Sequence, residues 1–432
     1  MRRGLVGFLA ALAAFSVDLS EPGGVAAASS PAVAMVEPGG AALAYWPRWR
    51  GPSGQGLAAG AGYPEAWSDT ENVLWRAALP GRGHSSPIVW NDRIFVTTGY
   101  TDGRVSLLAF RRSDGKLLFE TFGPDTTHEK LHAKNSHASA TPSTDGRLVY
   151  AFFGNKGLLA VDFAGKLVWH RSLGSFANYH GTAGSPLLYK DRLILFQDQE
   201  GTAQGGAFIA AFEADTGRPI WRTERQGTVG WGTPVAVRVD ARDLIVASGQ
   251  HRVVAYDPDT GRELWRCGGS TFEVIPTPVV GHGLVFCPSG RAGPTLAIRP
   301  GGRGDVSETH VAWKEVKGSP FVPSPLLHGD YLYMVNDMAS IVTCYKAATG
   351  EVAWQGRLGE ASREGFSASP VFADGKLFFT NDDGETFVLR AGPEFELLRV
   401  NRLNAPVLAS PALVDGRFYF RTGRELLAIG RH

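Results

Sequence analysis

Eleven histidines, three cysteines and 42 acidic residues supply this chain with most catalytic side-chain types, so spacing decides what they can do. No His-Glu-x-x-His pair and no Gly-x-Ser-x-Gly elbow occurs, which removes the commonest zinc-hydrolase and serine-hydrolase arrangements. His128, His132 and His137 cluster near Glu129, but in a polar connection that reads as a solvated loop, because metal sites need supporting partners around the ligands. Asn381-Asp382-Asp383-Gly384 resembles a short oxygen-rich loop, yet Asp-Gly pairs recur along the chain as turns. Cys267, Cys287 and Cys344 are too few for a disulfide framework and match no zinc spacing. Cys267 and Cys287 could pair in an oxidising compartment, although they fall in different predicted strands of neighbouring repeats. The expectation is no catalytic residue and no metal ligand.

The elements that would position any site come from a repeat. A Ser-Pro or Thr-Pro pair begins a predicted strand at Pro87, Pro142, Pro186, Pro234, Pro278, Pro325, Pro370 and Pro411, at intervals of about 41 to 55 residues. Each unit reads as four short strands, as in His84 to Trp90, Arg93 to Thr98, Val105 to Arg111 and Lys116 to Phe122. The third strand carries a small residue, Ala160, Ala211, Ala255 or Cys344, and a turn such as Asp215-Thr216-Gly217 follows. The fourth centres on Trp169, Trp221, Trp265, Trp313 or Trp354, with Trp75 in an earlier copy. Burying a Trp is worth about 4–6 kcal/mol as an upper estimate, so these rings read as packing between units. Eight such units predict an all-β, eight-bladed propeller of four-stranded blades. The last unit ends without a fourth strand, and Asn72 to Leu79 has the character of one, so pairing the two closes the ring. Residues 71–432 are then the propeller and 29–70 a tail lying against it.

In such a ring the connections between blades and the second-to-third loops share one face. The opposite face holds interchangeable turn residues such as Asp92, Asp145, Asp191, Asp330, Asp374 and Asp415. The connection face collects side chains that turns do not require. From the first blades come Arg82, His84, Lys134, Asn135, His137, Tyr179, His180 and Asp198. Trp231, Gln250, His251, Glu273 and Arg291 follow, then Asn336, Asp337, Arg363 and Asn381. Mixed donors, acceptors and aromatics around a channel mouth suit a polar ligand, a polymer or a partner's loop.

The Ser/Thr-Pro strand, the Ala-x-Asp and Thr-Gly elements and the Trp together resemble the pyrroloquinoline-quinone-like (PQQ-like) propeller repeat, over roughly residues 70 to 432. Lys134 to Pro142, Gly230-Trp231-Gly232-Thr233-Pro234 and Trp46 to Gly56 are similar to a bacterial exported subgroup. The resemblance implies one of two roles: a binding scaffold like the outer-membrane assembly propellers of the BamB type, or a small quinoprotein oxidoreductase of alcohols or sugars using PQQ and calcium. Larger enzymes of this family carry adjacent cysteines and a cover domain, which this chain lacks. The expectation is therefore a binding or scaffolding module without a cofactor, its partner a protein or a polar ligand.

Arg2 and Arg3 precede an apolar run from Leu5 to Val17, too short to span a bilayer, and Ala26-Ala27-Ala28 ends a predicted signal peptide at residues 1–28. That predicts a periplasmic or secreted protein. No cysteine precedes Cys267, so no lipid anchor is expected, nor is a transmembrane span. With 43 basic against 42 acidic residues, no long-range field favours nucleic acid.

Overall fold

Eight sheets succeed one another around an axis in the computed structural model, which describes Met1 and residues 32–126, 131–200, 206–226, 229–360 and 365–431. Seven blades are formed by residues 88–122, 143–171, 187–224, 235–268, 279–315, 326–357 and 371–402. The eighth joins Ala412–Val414, Arg417–Arg421 and Glu425–Ile429 to the strand Val73–Ala78. There Trp75 faces Ala428 and Arg76 faces Leu427 in antiparallel register, so the ring closes by the predicted pairing. Every Ser/Thr-Pro pair immediately precedes the first strand of its blade, where a proline costs no ladder hydrogen bond. No helix of the described residues is long and apolar enough to cross a membrane.

The Trp and Thr-Gly signals turn out to be two halves of one joint. In the outer strands that carry a Trp, a bulge re-aims the chain next to the ring, which lies directly across from the small residue: Trp169 opposite Ala160, Trp221 opposite Ala211, Trp354 opposite Cys344. The ring then reaches the next blade. Trp169 Nε1 donates to Ala214 O at 2.9 Å, Trp221 Nε1 to Pro258 O at 3.1 Å and Trp313 Nε1 to Ala347 O at 2.9 Å. A Cβ on Gly217 (φ +67°) would stand 2.6 Å from the Trp169 ring, so glycine supplies both the left-handed turn and the space. All three cysteines are free and buried, Cys267 and Cys287 included.

Residues 33–67 do more than lie against the outside. Val33–Met35 pairs with Val237–Val239 on blade 4. The chain then threads the inner strands: Trp46 exchanges both backbone bonds with Val89, Thr144 N donates to Pro47 O, Val280 N to the Gln55 side chain and Phe372 N to Gly56 O. These partners are at or near the ends of the first strands, so the segment plugs the channel on the turn face. Asp374 belongs to this plug, because its carboxylate accepts from Gly62 N at 2.8 Å.

Candidate functional site

With one end plugged, the channel is a blind funnel of about 450 Å³ that opens on the connection face. Its wall begins with the Ser/Thr of each Ser/Thr-Pro pair, which form a crown. Ser86 N donates to Thr141 Oγ1, Thr141 N to Ser185 Oγ, Ser185 N to Thr233 Oγ1 and Thr233 N to Thr277 Oγ1. Thr277 N then donates to Ser324 Oγ, Ser324 N to Ser369 Oγ and Ser369 N to Ser410 Oγ, all seven bonds between 2.9 and 3.1 Å. The repeated hydroxyl is thus an inter-blade link that satisfies a backbone donor beside the axis. Trp49, from the plug, also lines the funnel.

Seven of the residues expected on this face line the funnel: His84, Lys134, Asn135, His180, Trp231, Glu273 and Arg291. Trp231 is fixed by its own backbone N–H to Val274 O and by Nε1 to Gly181 O at 2.7 Å. His180 stacks on it, ring centroids 5.7 Å apart, and Tyr179 packs edge-on against both. Burial, then the neighbouring His132, lowers the His180 pKa. Tyr179 donates to Glu273, whose other oxygen takes Arg291 at 3.3 Å, and the tyrosine pKa is raised by burial and by that carboxylate. Lys134 Nζ reaches Asp382 at 2.6 Å, and Asp382 also accepts from Ser367. Asn135 Nδ2 donates to His180 O at 2.7 Å, joining adjacent connections. Burial, reinforced by Arg421 and Arg82, pushes the His84 pKa down to about 4, so this imidazole is neutral at pH 7.

The remaining expected residues are elsewhere. Arg82 is exposed and donates to Ala133 O at 2.8 Å. His137 packs near Gly99, and Gln250 is half-buried in a two-residue hairpin turn shared with His251, whose φ of +65° makes it a turn residue. Asp198 is fully buried and pairs with Arg225 at 3.0 Å, a structural ion pair and not a mouth residue. Asp337 is buried too, accepting from Phe321 N at 2.8 Å, with its pKa raised by burial. Asn336 and Asn381 cap their own turns through Ala339 N and Glu385 N, and Asn381 borders a separate cavity of about 400 Å³. Arg363, His128 and Glu129 lie outside the described residues.

Sequence reasoning missed several members. His132, read as part of a solvated loop, lines the funnel with its ring 4.6 Å from His180. Phe321, Met338 and Ile275 give the mouth an apolar side, with the Arg291 guanidinium over Phe321 at 5.6 Å.

The fold has many relatives among solved structures. BamB from Moraxella catarrhalis superposes with a TM-score of 0.60 at 16% identity, covering 83% of this chain and 98% of that one. The quinohemoprotein alcohol dehydrogenase of Comamonas testosteroni gives 0.62 at 13%, covering 91% of this chain and 82% of the enzyme. The quinohemoprotein alcohol dehydrogenase ADHIIG of Pseudomonas putida HK5 gives 0.64 at 13%, covering 92% and 82%. At these identities the likeness is one of fold. No curated protein matches the chain in sequence. The sequence profile of the family described as outer membrane protein assembly factor BamB matches residues 52–204, 205–299, 273–356 and 338–429. Those segments tile the propeller from its plug to its final strand, and the chain belongs to that family of PQQ-like repeat propellers.

Proposed function

We propose that this chain is an exported docking module whose working surface is the funnel mouth, where it takes a loop of a partner protein or a comparable polar ligand. The observation that carries this reading is the mouth itself: a preformed, blind recess in which rigidly held aromatics face paired charges and an apolar rim. Export rests on the predicted signal at residues 1–28 and accords with the BamB description of the family.

The donor set does not favour a calcium-bound quinone. Glu273 is engaged by Tyr179 and Arg291, and Asp382 by Lys134 and Ser367, so the carboxylates converge on protein donors instead of on a shared cation position. Among the described residues no group of three or more His, Cys, Asp or Glu side chains is placed to hold a metal ion. These residues do not fit that group, and the site is read as one that binds.

The test is crosslinking in the native host. A photoreactive residue replaces Met338 on the mouth rim in one variant and Asp191 on the turn face in another. The reading expects a discrete crosslinked species from Met338 alone, lost when Trp231→Ala and His180→Ala are added. Equal yields from both faces, or Met338 products indifferent to those substitutions, overturn it.

A further inference from the structure

Among the described residues, two cations are buried at the crown with no carboxylate against them. Arg421 is 2% exposed; its Nη1 donates to Ser85 O, Ser85 Oγ and Thr97 O, while its Nε has no partner. Arg50 is 1% exposed; its Nη2 donates to Gln55 O and Pro325 O, while Nε and Nη1 have none. Each guanidinium touches the backbone beside a crown residue, Ser86 for one and Ser324 for the other. Burial alone brings both pKa values down to about 9, with no carboxylate offsetting it. A fully buried charge is ordinarily paired. Arg225 is an example, meeting Asp198 at 3.0 Å. The carboxylates of the mouth are already engaged by Arg291, Tyr179 and Lys134.

The position of Arg421 also departs from the repeat. The first two strands pair Ile88 with Phe95 in blade 1 and Ala412 with Tyr419 in blade 8, and the same register holds in the six blades between. Two residues further on, blades 1 to 7 carry Thr97, Phe152, Phe196, Ser248, Pro288, Val335 and Thr380, and blade 8 carries Arg421. Seven copies show that the fold accepts a neutral side chain in this niche. In the eighth the guanidinium bonds across the closing seam to Ser85 and Thr97, which explains a donor there, but no carboxylate balances its charge.

The crown supplies matching donors. Seven of its hydroxyls, from Thr141 round to Ser410, accept from backbone N–H groups, and in those seven bonds none of them donates its own proton. Six crown residues line the funnel: Ser86, Thr141, Ser185, Thr233, Ser369 and Ser410. Neither guanidinium lines the funnel itself; each bonds the backbone one residue from a crown Ser, so an anion held by the O–H donors is balanced through that layer, and the apolar wall of Ile275, Val322 and Leu408 suits an organic one.

We propose that the base of the funnel binds a carboxylate group, hydrogen-bonded by the crown hydroxyls and balancing the charge of Arg50 and Arg421. This deepens the docking reading and rests on it for the biological source of the carboxylate. That source is either a free organic acid or the end of a partner's chain.

Equilibrium dialysis of the mature protein at pH 7 tests it with benzoate against neutral benzamide. Benzoate is expected to bind saturably, at least tenfold tighter than benzamide, with inorganic phosphate a poor competitor. Arg421→Met should weaken benzoate at least tenfold and leave benzamide unchanged. Because that variant could misfold, Ser369→Ala with Ser410→Ala provides a second arm, expected to weaken benzoate several-fold. A tetrapeptide with a free C-terminus, compared with its C-terminal amide, distinguishes the sources: a chain end binds tighter than benzoate, and a free-acid site excludes it. Equal binding of benzoate and benzamide, or no binding of either up to about 10 mM, a free energy of only about −3 kcal/mol, overturns the proposal. Such a failure leaves the crosslinking result at Met338 standing, so the two readings fall separately.

Discussion

Replacing Gly217 with alanine tests whether the joint between blades is what ties the Trp and Thr-Gly signals together. The left-handed backbone at φ +67° costs an alanine about 1–2 kcal/mol by itself. The new Cβ would also stand 2.6 Å from Trp169 Cε3, so the indole must move, adding an overpacking cost of about 1–3 kcal/mol and weakening its bond to Ala214 O, worth about 1 kcal/mol. The expected loss is about 3–5 kcal/mol. Gly375→Ala is the control: its φ is +74° but nothing lies within 4 Å of the new Cβ, so only the backbone cost of about 1–2 kcal/mol remains. Urea unfolding followed by fluorescence and circular dichroism gives both values. A double-mutant cycle makes the test sharper. With Trp169→Ala already present, Gly217→Ala should cost no more than Gly375→Ala does, a coupling of about 2 kcal/mol. Equal losses at Gly217 and Gly375, or additivity within about 0.5 kcal/mol, would refute the joint.

Deleting residues up to Leu79 removes the plug, the closing strand and Trp75 together, and should abolish the cooperative melt seen by calorimetry; deleting only to Ala41 removes the Val33–Met35 pairing and should cost about 1–2 kcal/mol. His84 makes stability depend on acid: neutral in the fold down to about pH 4 but protonated near pH 6.5 when unfolded, it lets the unfolded state bind more protons between those values. Stability should therefore fall by about 2–3 kcal/mol from pH 7 to pH 4, and His84→Gln should flatten that part of the profile. Arg225→Met leaves Asp198 buried and alone and should cost about 3–5 kcal/mol, whereas replacing both partners by apolar residues should cost less, as urea midpoints will show. Burial pushes the thiols of Cys267, Cys287 and Cys344 up to about 11, 12 and 12, so an aromatic disulfide reagent should find none at pH 8 in the native protein and three after unfolding; a count of one means that Cys267 and Cys287 are bridged.

The features legible in the sequence were those that recur or pair locally. Ser/Thr-Pro spacing exposed eight blades, and an orphan fourth strand at Asn72 to Leu79 exposed the closure, because an incomplete blade and a spare strand imply each other. The hydroxyl crown was written in the same dipeptides yet read only as strand starts, since its bonds join residues more than forty positions apart. Polarity in a loop located His180 and Trp231 but misplaced Asp198 and Asp337, because a side chain's type does not disclose whether a partner such as Arg225 will carry it inward. Trp49 and His132 stand outside the repeat, and no periodic signal marked them.

A near-eightfold ring raises its own problem of recognition. The crown repeats the same hydroxyl from blade to blade, six of them on the funnel wall, so a group held there gains little orientation from the crown itself. Orientation has to come from residues that break the repeat, and they are unevenly placed. Arg421 and His84 stand where blade 8 meets blade 1, and the stacked His180 and Trp231 lie on the connections flanking blade 3. Glu273, Arg291, Phe321 and Met338 occupy the side formed by blades 4 to 6. On the docking reading proposed above, an elongated occupant would meet a stacking wall on one side and a charged, apolar rim on another. The repeat makes the scaffold and the recess, and on the proposed reading the few residues that depart from it would choose what enters and which way it faces.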